Sequence, residues 1–394
     1  MRENLGYDVH LFSFLEGDQM NPASGDIPDF ISSVTIATDV GILEKMKNIA
    51  AAFLNPNMPF QCCLFSSAEN RRALNSIMEK VKPEVVIFDM VRLAPYIEAI
   101  PEVDCAKIIN FDDLLSKRYF RQIGQTGGNI LGKYGAATSN MVNRIVNGPV
   151  KSIVLKMEAK RVARAEDAYG KLADACLFVS PVEADEMNKR LGENKSFWAT
   201  MGTQVFDVVD LDQARTFDFG FVGNMHTSAN QDSLKYIVEE IMPAFPERSL
   251  RVIGVCPDEI RSNYTKHRNI SFTGRVDSIY EHLRECSMLL APFAYGTGIK
   301  TKVLEAMGMG VPVVTNSIGL EGLSAERGSD VLWADSAEGI VAEVRRLLNN
   351  PSFAIQVGES GRRYAMRCHT WEKSIADLGA CIEFAKAKHG ENRQ

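Results

Sequence analysis

Two lysines and a glutamate follow a glycine-containing loop, and their types and spacing suit a phosphorylated ligand. Gly296 and Gly298 permit backbone geometries that other residues disfavour and allow a ligand to approach closely. Lys300 and Lys302 stand where a helix is expected to begin, although the helix dipole disfavours cations there. An anion held between them by free backbone N–H groups explains their position. Glu305, three residues beyond Lys302, can then accept hydrogen bonds from ribose hydroxyls.

Short elements on either side must position these side chains. Residues 287–290 read as a buried strand that runs into Pro292, and residues 301–309 read as a helix with an apolar face. Gly310 and Pro312 end that helix, and another strand follows. The alternative for the same residues is a glycine-rich loop with solvated lysines and a Lys302–Glu305 pair on the surface.

The same stretch resembles the donor-binding signature of the retaining glycosyltransferases of family 4, which have the GT-B fold. The resemblance is specific over residues 216–371 and weaker over residues 7–113. It implies that the helix end binds the diphosphate of a nucleotide sugar and that Glu305 binds its ribose. The matching residues are Pro292, Gly296, Gly298, Lys302, Glu305-Ala306-Met307, Gly310 and Pro312-Val313-Val314.

One position departs from the family pattern. The usual motif has two glutamates eight positions apart, and Thr297 occupies the first of these positions. Some sugar transferases of the family lack that glutamate and carry a Gly-x-x-x-Lys pattern, which Gly298 and Lys302 match. The chain is therefore similar to that branch.

The resemblance also assigns residues outside the loop to the donor. Gly223-Asn224 takes the turn below the phosphates, where many members carry an arginine and a later lysine that are both absent here. Arg275-Val276 lies against the base, and Glu321 lines the same crevice. The donor-binding residues implied in this way are Gly223, Asn224, Arg275, Val276, Gly296, Thr297, Gly298, Ile299, Lys300, Lys302, Glu305 and Glu321.

Two aspartates follow a predicted strand at residues 105–110. Ligands in open α/β sheets bind beyond the carboxyl ends of the strands, so Asp112 and Asp113 are candidates for contact with the sugar and the acceptor. Many family members carry a His-Asp or Asp-rich turn at this place. The alternative is that either aspartate caps the N-terminus of the next helix.

Composition excludes several classes of protein. A length of 394 residues favours two domains, and 45% hydrophobic with 24% charged residues is typical of a soluble globular chain. A net charge of −6 argues against a general nucleic-acid binder. No apolar run is long enough to cross a bilayer and no signal peptide opens the chain, which favours a cytoplasmic location. The eight cysteines form no C-x-x-C pair, so we expect reduced, buried thiols.

Alternating strand and helix patterns predict an α/β protein with two doubly wound, Rossmann-like domains facing a cleft, which is the GT-B architecture. We expect an N-terminal acceptor-side domain over residues 1–205 and a nucleotide-sugar-binding domain over residues 206–370. A C-terminal helix over 371–394, ending in a polar tail, is expected to cross back to the first domain. In the first domain, residues 60–65 read as a strand, and residues 177–180 read as its last strand.

The opening of the chain is expected to be shortened. Family members begin with a strand, a glycine-rich loop and a long helix before the segment that resembles residues 5–10. That first strand would lie mid-sheet in the order 3-2-1-4-5. An incorrectly assigned start, an artificial boundary or a degenerate family member would each explain the difference.

Residues 117–164 carry ten basic side chains and a single acid, Glu158. Because the chain as a whole has net charge −6, the remaining residues carry −15 (−6 minus +9). Apolar residues are interspersed among the basic ones, a pattern that suits contact with anionic lipid or a lipid-diphosphate acceptor. The alternative is a solvated pair of basic helices. The basic residues are Lys117, Arg118, Arg121, Lys133, Arg144, Lys151, Lys156, Lys160, Arg161 and Arg164.

The resulting hypothesis is transfer of a sugar, with retention, from a nucleotide-diphosphate sugar to a glycan or lipid-linked acceptor, in the synthesis of cell-surface polysaccharide or glycoconjugate. Lys302, Lys300 and backbone N–H groups would stabilise the leaving diphosphate, with Glu305 and Asp112 as further catalytic candidates. No Asp-x-Asp pair is present, so neither a metal nor another cofactor is expected. The protein would be cytoplasmic and peripheral on the inner face of the membrane. The alternatives are a non-catalytic GT-B protein that binds a nucleotide sugar or a partner transferase, and a nucleotide-sugar epimerase.

Overall fold

A computed structural model describes residues 5–14, 27–55, 57–100, 103–123, 151–206, 215–296 and 298–393. These residues form two compact units. Unit 1 contains the described residues up to Ile123, from 151 to Ala199, and from Ile375 onward. Unit 2 contains the described residues from Thr200 to Ser374.

The strands of unit 1 are all parallel to their neighbours and form two sheets. One sheet pairs β1 (Val9–Ser13) with β2 (Ile31–Ile36). The other has the order β3-β4-β5-β6, formed by Val85–Asp89, Ala106–Asp112, Ala175–Phe178 and Ser196–Trp198. The prediction that the strand near residue 177 is the last of this domain is therefore wrong, because β6 pairs with β5 after it.

In the described part of unit 1, six helices precede β6. They are α1 (Ile42–Leu54), α2 (Phe60–Cys63), α3 (Ala68–Val81), α4 (Leu115–Gln122), α5 (Lys151–Leu172) and α6 (Pro181–Leu191). A 3₁₀ helix at Ala94–Ala99 follows β3.

The prediction of a strand at residues 60–65 is wrong, because these residues include helix α2. A short apolar run fits a buried strand and a buried helix equally well by periodicity. The carboxylate of Glu158 decides the outcome, because it accepts hydrogen bonds from the N–H groups of Phe60 (2.9 Å) and Gln61 (3.2 Å). A buried carboxylate at that point stabilises a helix N-terminus.

Unit 2 is built on one parallel sheet with the strand order β12-β11-β10-β7-β8-β9. Numbered within the unit, this order is 6-5-4-1-2-3, the arrangement of a dinucleotide-binding Rossmann sheet. The strands are β7 (Phe217–Val222), β8 (Leu250–Ile253), β9 (Ile270–Phe272), β10 (Cys286–Ala291), β11 (Val313–Thr315) and β12 (Leu332–Trp333).

Helices cover both faces of this sheet, as the two apolar clusters on either side of it indicate. The first helix, α7 (Ser228–Tyr236), continues as a π turn at Ile237–Ile241 and a 3₁₀ turn at Met242–Ala244. The others are α8 (Asp258–Arg261), α9 (Ile279–Arg284), α10 (Thr301–Gly308), α11 (Ala337–Asn349), α12 (Pro351–Cys368) and α13 (Trp371–Glu391).

α10 packs on the sheet through the apolar face that its sequence predicts. Val303, Leu304 and Met307 are fully buried in one cluster with Leu289 of β10 and Val313 of β11. This packing fixes the helix axis, and therefore the place where its N-terminus meets the preceding loop.

α13 begins in unit 2 and belongs to unit 1 from Ile375 onward. Cys381, Ile382 and Ala385 pack there against Ala106 and Ala175 of the four-stranded sheet. All eight cysteines are free thiols, six of them buried. Within the described ranges, no helix combines the length and the apolar character needed to span a bilayer.

Candidate functional site

The loop between β10 and α10 presents the N-terminus of α10. Gly298 has a positive φ of 65°, which favours glycine. Lys300 is the N-cap residue and is 8% exposed. Its ammonium group has donors only and cannot accept from the first N–H groups of the helix. These N–H groups are therefore not capped by the N-cap side chain, as an anion site requires.

Lys302 reaches back from the first turn of α10 into an aromatic setting. Its Nζ donates to Oδ1 of Asn230 at 2.7 Å. The same Nζ lies 5.0 Å from the ring centroid of Phe221 and 5.1 Å from that of Phe293, within cation–π range. Burial lowers the pKa of Lys302 to about 7; the Glu305 carboxylate opposes this effect and the Lys300 charge adds to it. A bound anion would raise the pKa of Lys302 again.

Asn230 brings a second helix N-terminus to the same place. It lies in the first turn of α7, 72 residues before Lys302, and its Nδ2 donates to the carbonyl of Asn224 at 2.9 Å. The hydroxyl groups of Ser228 and Tyr295 lie 2.5 Å apart and join α7 to the loop before α10. The N-termini of α7 and α10 thus converge, and both dipoles favour negative charge there. Asn230 was not among the site residues expected from the sequence.

The turn after β7 places Gly223 and Asn224 beside this convergence. The N–H of Gly223 donates to the carbonyl of Ile253 at 2.9 Å, and Asn224 is exposed. A Cβ built on Gly223 would lie 2.9 Å from Cγ of Asn230. Any residue other than glycine at position 223 would therefore displace the side-chain amide of Asn230. Two residues that the resemblance assigns to the donor are therefore connected to Lys302 through Asn230.

Gly254, at the end of β8, is predicted to tolerate no side chain. Its φ is +125°, and a Cβ there would lie 2.4 Å from the carbonyl oxygen of Gly223. We expect Gly254→Ala to lower the free energy of unfolding by about 2–3 kcal/mol, because strain and a backbone clash add. Gly328→Ala is the matched control, since Gly328 also has a positive φ (+85°) but has open space around it. Denaturant unfolding that gave equal losses for the two variants would contradict the steric argument.

Asn316 forms hydrogen bonds that join the turn after β11 to the loop between β10 and α10. Its Oδ1 accepts from the N–H groups of Phe293 (3.2 Å) and Gly319 (3.1 Å), and its Nδ2 donates to the carbonyl of Phe293 at 2.7 Å. Glu321 lies in this turn, two residues after Gly319. A Cβ on Gly319 would lie 1.9 Å from Oγ1 of Thr315, so the turn requires glycine. Sequence reasoning missed Asn316, which follows β11 as a polar residue at the carboxyl end of a strand.

Glu305 is partly buried on α10, one turn beyond Lys302. Burial raises the pKa of its carboxyl group, and the Lys302 ammonium opposes that rise. Tyr280 is close enough for the Glu305 charge to contribute to a raised pKa of its phenol, after burial. Over the described residues, no ion pair within 4.0 Å joins Lys302 to Glu305. The alternative of a solvated surface pair therefore does not fit this geometry.

The remaining donor-loop residues have different settings. Ile299 is 8% exposed and packs in the cluster beneath α10, and Val276 packs at its edge. Arg275 is exposed in the loop after β9, and in the described part of the chain no hydrogen bond or ion pair ties it to the other candidates. Thr297 lies outside the described residues, so its predicted role stays a prediction.

Asp112 and Asp113 lie at the carboxyl end of β4 in unit 1. Asp112 has a positive φ of 64°, uncommon outside glycine, and burial together with the neighbouring Asp113 charge raises its pKa to about 6. Asp113 is 3% exposed and forms an ion pair with Arg118, whose Nε lies 3.1 Å from Oδ2. Strain at a carboxylate on a strand end is a feature of functional sites.

Neither aspartate caps α4, so that alternative is wrong. The N-cap residue is Leu114, which has no side-chain cap. Two buried glutamates from other helices take over this role. Glu183 accepts from the N–H of Leu114 at 3.3 Å, and Glu166 accepts from the N–H of Ser116 at 3.0 Å.

The basic segment is in part structural. Residues 124–150 lie outside the described residues. Lys117 pairs with Glu186 at 3.1 Å, and Arg161 is buried. The described residues contain no cluster of three or more His, Cys, Asp or Glu side chains able to hold a metal ion. The expectation of metal-free chemistry stays a prediction.

Comparison with known proteins agrees with the architecture of both units. The family model described as "Glycosyl transferases group 1" matches residues 216–350, which contain the α7 and α10 N-termini. No curated protein sequence matches the chain. Sucrose-phosphate synthase from Thermosynechococcus elongatus superposes with a TM-score of 0.60 at 15% identity, over 80% of this chain and 77% of that one. The fold is GT-B.

Other solved structures share this fold. HepE from Anabaena in complex with UDP-glucose gives a TM-score of 0.59 at 10% identity, over 97% of this chain and 100% of that one. TarM gives 0.58 at 12% identity, over 80% of this chain and 58% of that one. These identities are too low to carry an activity by themselves.

Proposed function

We propose that the protein is a glycosyltransferase that uses a nucleotide-diphosphate sugar as donor. The observation that carries the proposal is the convergence of two helix N-termini on Lys302, with Lys300 at the same end and Glu305 one turn away. Dipoles, N–H groups and ammonium groups together suit a diphosphate, and a nearby carboxylate suits a ribose. The match to group 1 glycosyl transferases and the complexes of HepE with UDP and with UDP-glucose support it.

The chemistry follows from where charge develops. As the bond between the anomeric carbon and the diphosphate oxygen breaks, negative charge grows on the departing diphosphate. Lys302 and the N–H groups of α10 are held in place before the reaction, so they stabilise this charge without reorganisation. A hydroxyl oxygen of the acceptor, a glycan or a lipid-linked saccharide, bonds to the same carbon while its proton passes to the departing diphosphate, and we propose that the new bond keeps the configuration of the donor. Asp112 is proposed to contact the sugar or the acceptor.

A non-catalytic GT-B protein that only binds a nucleotide sugar is the second candidate. Thr297 favours it, because the first glutamate of the usual family motif is replaced there. The two candidates differ in turnover. Incubation with a panel of nucleotide sugars and oligosaccharide or lipid-linked acceptors should release nucleoside diphosphate and form a product whose anomeric configuration NMR can assign. Binding of a donor without any product, across acceptors, would favour the second candidate.

Glu305→Ala is predicted to separate nucleotide binding from phosphate binding. Loss of hydrogen bonds between a carboxylate and ribose hydroxyls should weaken nucleoside-diphosphate binding by about 1.5–3 kcal/mol. Pyrophosphate has no ribose, so its affinity should change far less. Calorimetry with both ligands checks this. Equal losses for both would mean that Glu305 acts only through the charge of Lys302, and the ribose assignment would fail.

A further inference from the structure

Helix α1 turns an apolar stripe toward solvent. At roughly 100° per residue, its exposed apolar side chains fall within an arc of about 120°. Glu44, the only acidic residue of α1, lies outside that arc, and the opposite side is buried through Ala52. Exposed fractions range from 60% to 89% among Ile42, Leu43, Met46, Phe53 and Leu54. Contiguous apolar exposure of this kind marks an interaction surface.

The first four turns of α5 expose a face that is basic and apolar. These side chains lie within about 100° of one another around the helix. Glu158, the acid in this stretch, is 2% exposed and points inward. Over the described residues, neither Lys156 nor Lys160 has a carboxylate within ion-pair distance. The exposed residues are Ile153, Lys156, Met157, Lys160 and Arg164.

Buried polar contacts join α5 to the end of α1. Nη1 of Arg161 donates to the carbonyls of Ala52 (2.6 Å) and Asn55 (2.9 Å) at the end of α1. The Arg161 guanidinium also lies 4.6 Å from the centroid of the Phe60 ring, which in turn packs on Phe53. The end of the apolar stripe, at Phe53, therefore adjoins α5. The stripe of α1 and the basic face of α5 together are here called the α1–α5 surface.

We propose that the α1–α5 surface docks on an anionic lipid bilayer. Side chains such as Leu43 and Leu54 enter the boundary between headgroups and acyl chains, and Lys156 and Lys160 contact the phosphates. Surface helices with apolar residues on one side and lysines beside them bind membranes in this way. This proposal extends the predicted role of residues 117–164 to α1 and is independent of the donor site.

The charge distribution favours an anionic bilayer as the binding partner of the α1–α5 surface. An acidic chain with net charge −6 is repelled by anionic lipid unless its basic surface faces the lipid, so the α1–α5 surface fixes the orientation. Each lysine near an anionic headgroup layer strengthens binding about fivefold. Apolar insertion adds to this, which explains why bulky side chains and lysines lie together.

Sedimentation with vesicles tests the proposal on the full chain. We expect binding to phosphatidylcholine vesicles that contain phosphatidylglycerol, weaker binding at high salt, and little binding to phosphatidylcholine alone. Reversing Lys156→Glu and Lys160→Glu together should lower the bound fraction at least about tenfold. Leu43→Gln with Leu54→Gln should lower it as well. Because these side chains are exposed, folding and nucleoside-diphosphate binding should not change.

Two matched double variants control for the change in net charge and for the loss of exposed apolar side chains in general. Lys80→Glu with Lys266→Glu makes the same change in net charge away from α1 and α5, and Val182→Gln with Met366→Gln removes exposed apolar side chains away from them. Both controls should sediment like the unaltered protein. Equal sedimentation with both kinds of vesicle, none with either, or equal losses in the controls would overturn the proposal. So would a lipid-free oligomer that Leu43→Gln and Leu54→Gln dissociate, since a second copy would then cover the stripe.

Discussion

Replacing Lys302 by methionine is expected to lower kcat/KM for sugar transfer about 100- to 1000-fold. Methionine keeps an unbranched side chain against Phe221 and Phe293 but removes the ammonium group that opposes the developing diphosphate charge. Most of the loss should appear in kcat, with a smaller rise in KM, because the bound donor already carries negative charge and more develops as the bond breaks. Steady-state kinetics with the preferred donor measures both.

Lys266→Met is a suitable control, since Lys266 is exposed and distant in the chain from the α10 N-terminus. Asn230→Ala should produce a smaller loss in the same direction, because it removes the acceptor that positions Lys302 Nζ. A Lys302→Met enzyme with unchanged kcat would show that leaving-group stabilisation comes from elsewhere.

Donor binding is expected to take up a proton above neutral pH. Burial lowers the pKa of Lys302 to about 7 in the free protein, so at pH 8 most of the molecules hold a neutral amine. A bound diphosphate favours the ammonium form and raises that pKa. Affinity for nucleoside diphosphate should therefore fall as pH rises above about 7, by at most about tenfold per pH unit.

Calorimetry in two buffers of different ionisation enthalpy at pH 8 measures this proton uptake directly. The unaltered protein should take up a proton on binding, and Lys302→Met should take up none at that site. Stability of the free protein should move in the opposite direction. Between about 7 and the ordinary lysine value of 10.5, the unfolded chain binds more protons, so the contribution of Lys302 to the free energy of unfolding rises with pH. Proton release on donor binding would contradict the assignment.

The local parts of the site could be predicted from sequence, because short-range rules govern them. The helix from Thr301, its buried apolar face and the stop at Gly310 follow from periodicity and glycine chemistry. The GT-B fold followed from alternating elements together with the resemblance. Lys300 and Lys302 were expected at the helix end, and Lys300 is its N-cap residue.

What sequence reasoning missed depends on partners far along the chain. Asn230 meets Lys302 across 72 residues, and nothing local to α7 indicates that contact. Residues 60–63 form a helix because Glu158, nearly a hundred residues away, accepts its first N–H groups. Asp112 and Asp113 look like helix caps by position, but Glu166 and Glu183 reach α4 from other helices. Such contacts between residues far apart in the sequence override local secondary-structure propensity.

The N-terminus of α10, with Lys302, is proposed to hold the diphosphate of a nucleotide sugar. The most direct measurement is calorimetric titration of the protein at pH 7 with a panel of nucleoside diphosphates, repeated with Lys302→Met and Lys266→Met. We expect at least one nucleoside diphosphate to bind, Lys302→Met to weaken that binding by about 1.5–3 kcal/mol, and Lys266→Met to leave it unchanged. Binding of equal strength in all three proteins, or no binding of any nucleoside diphosphate to the unaltered protein, would contradict the account.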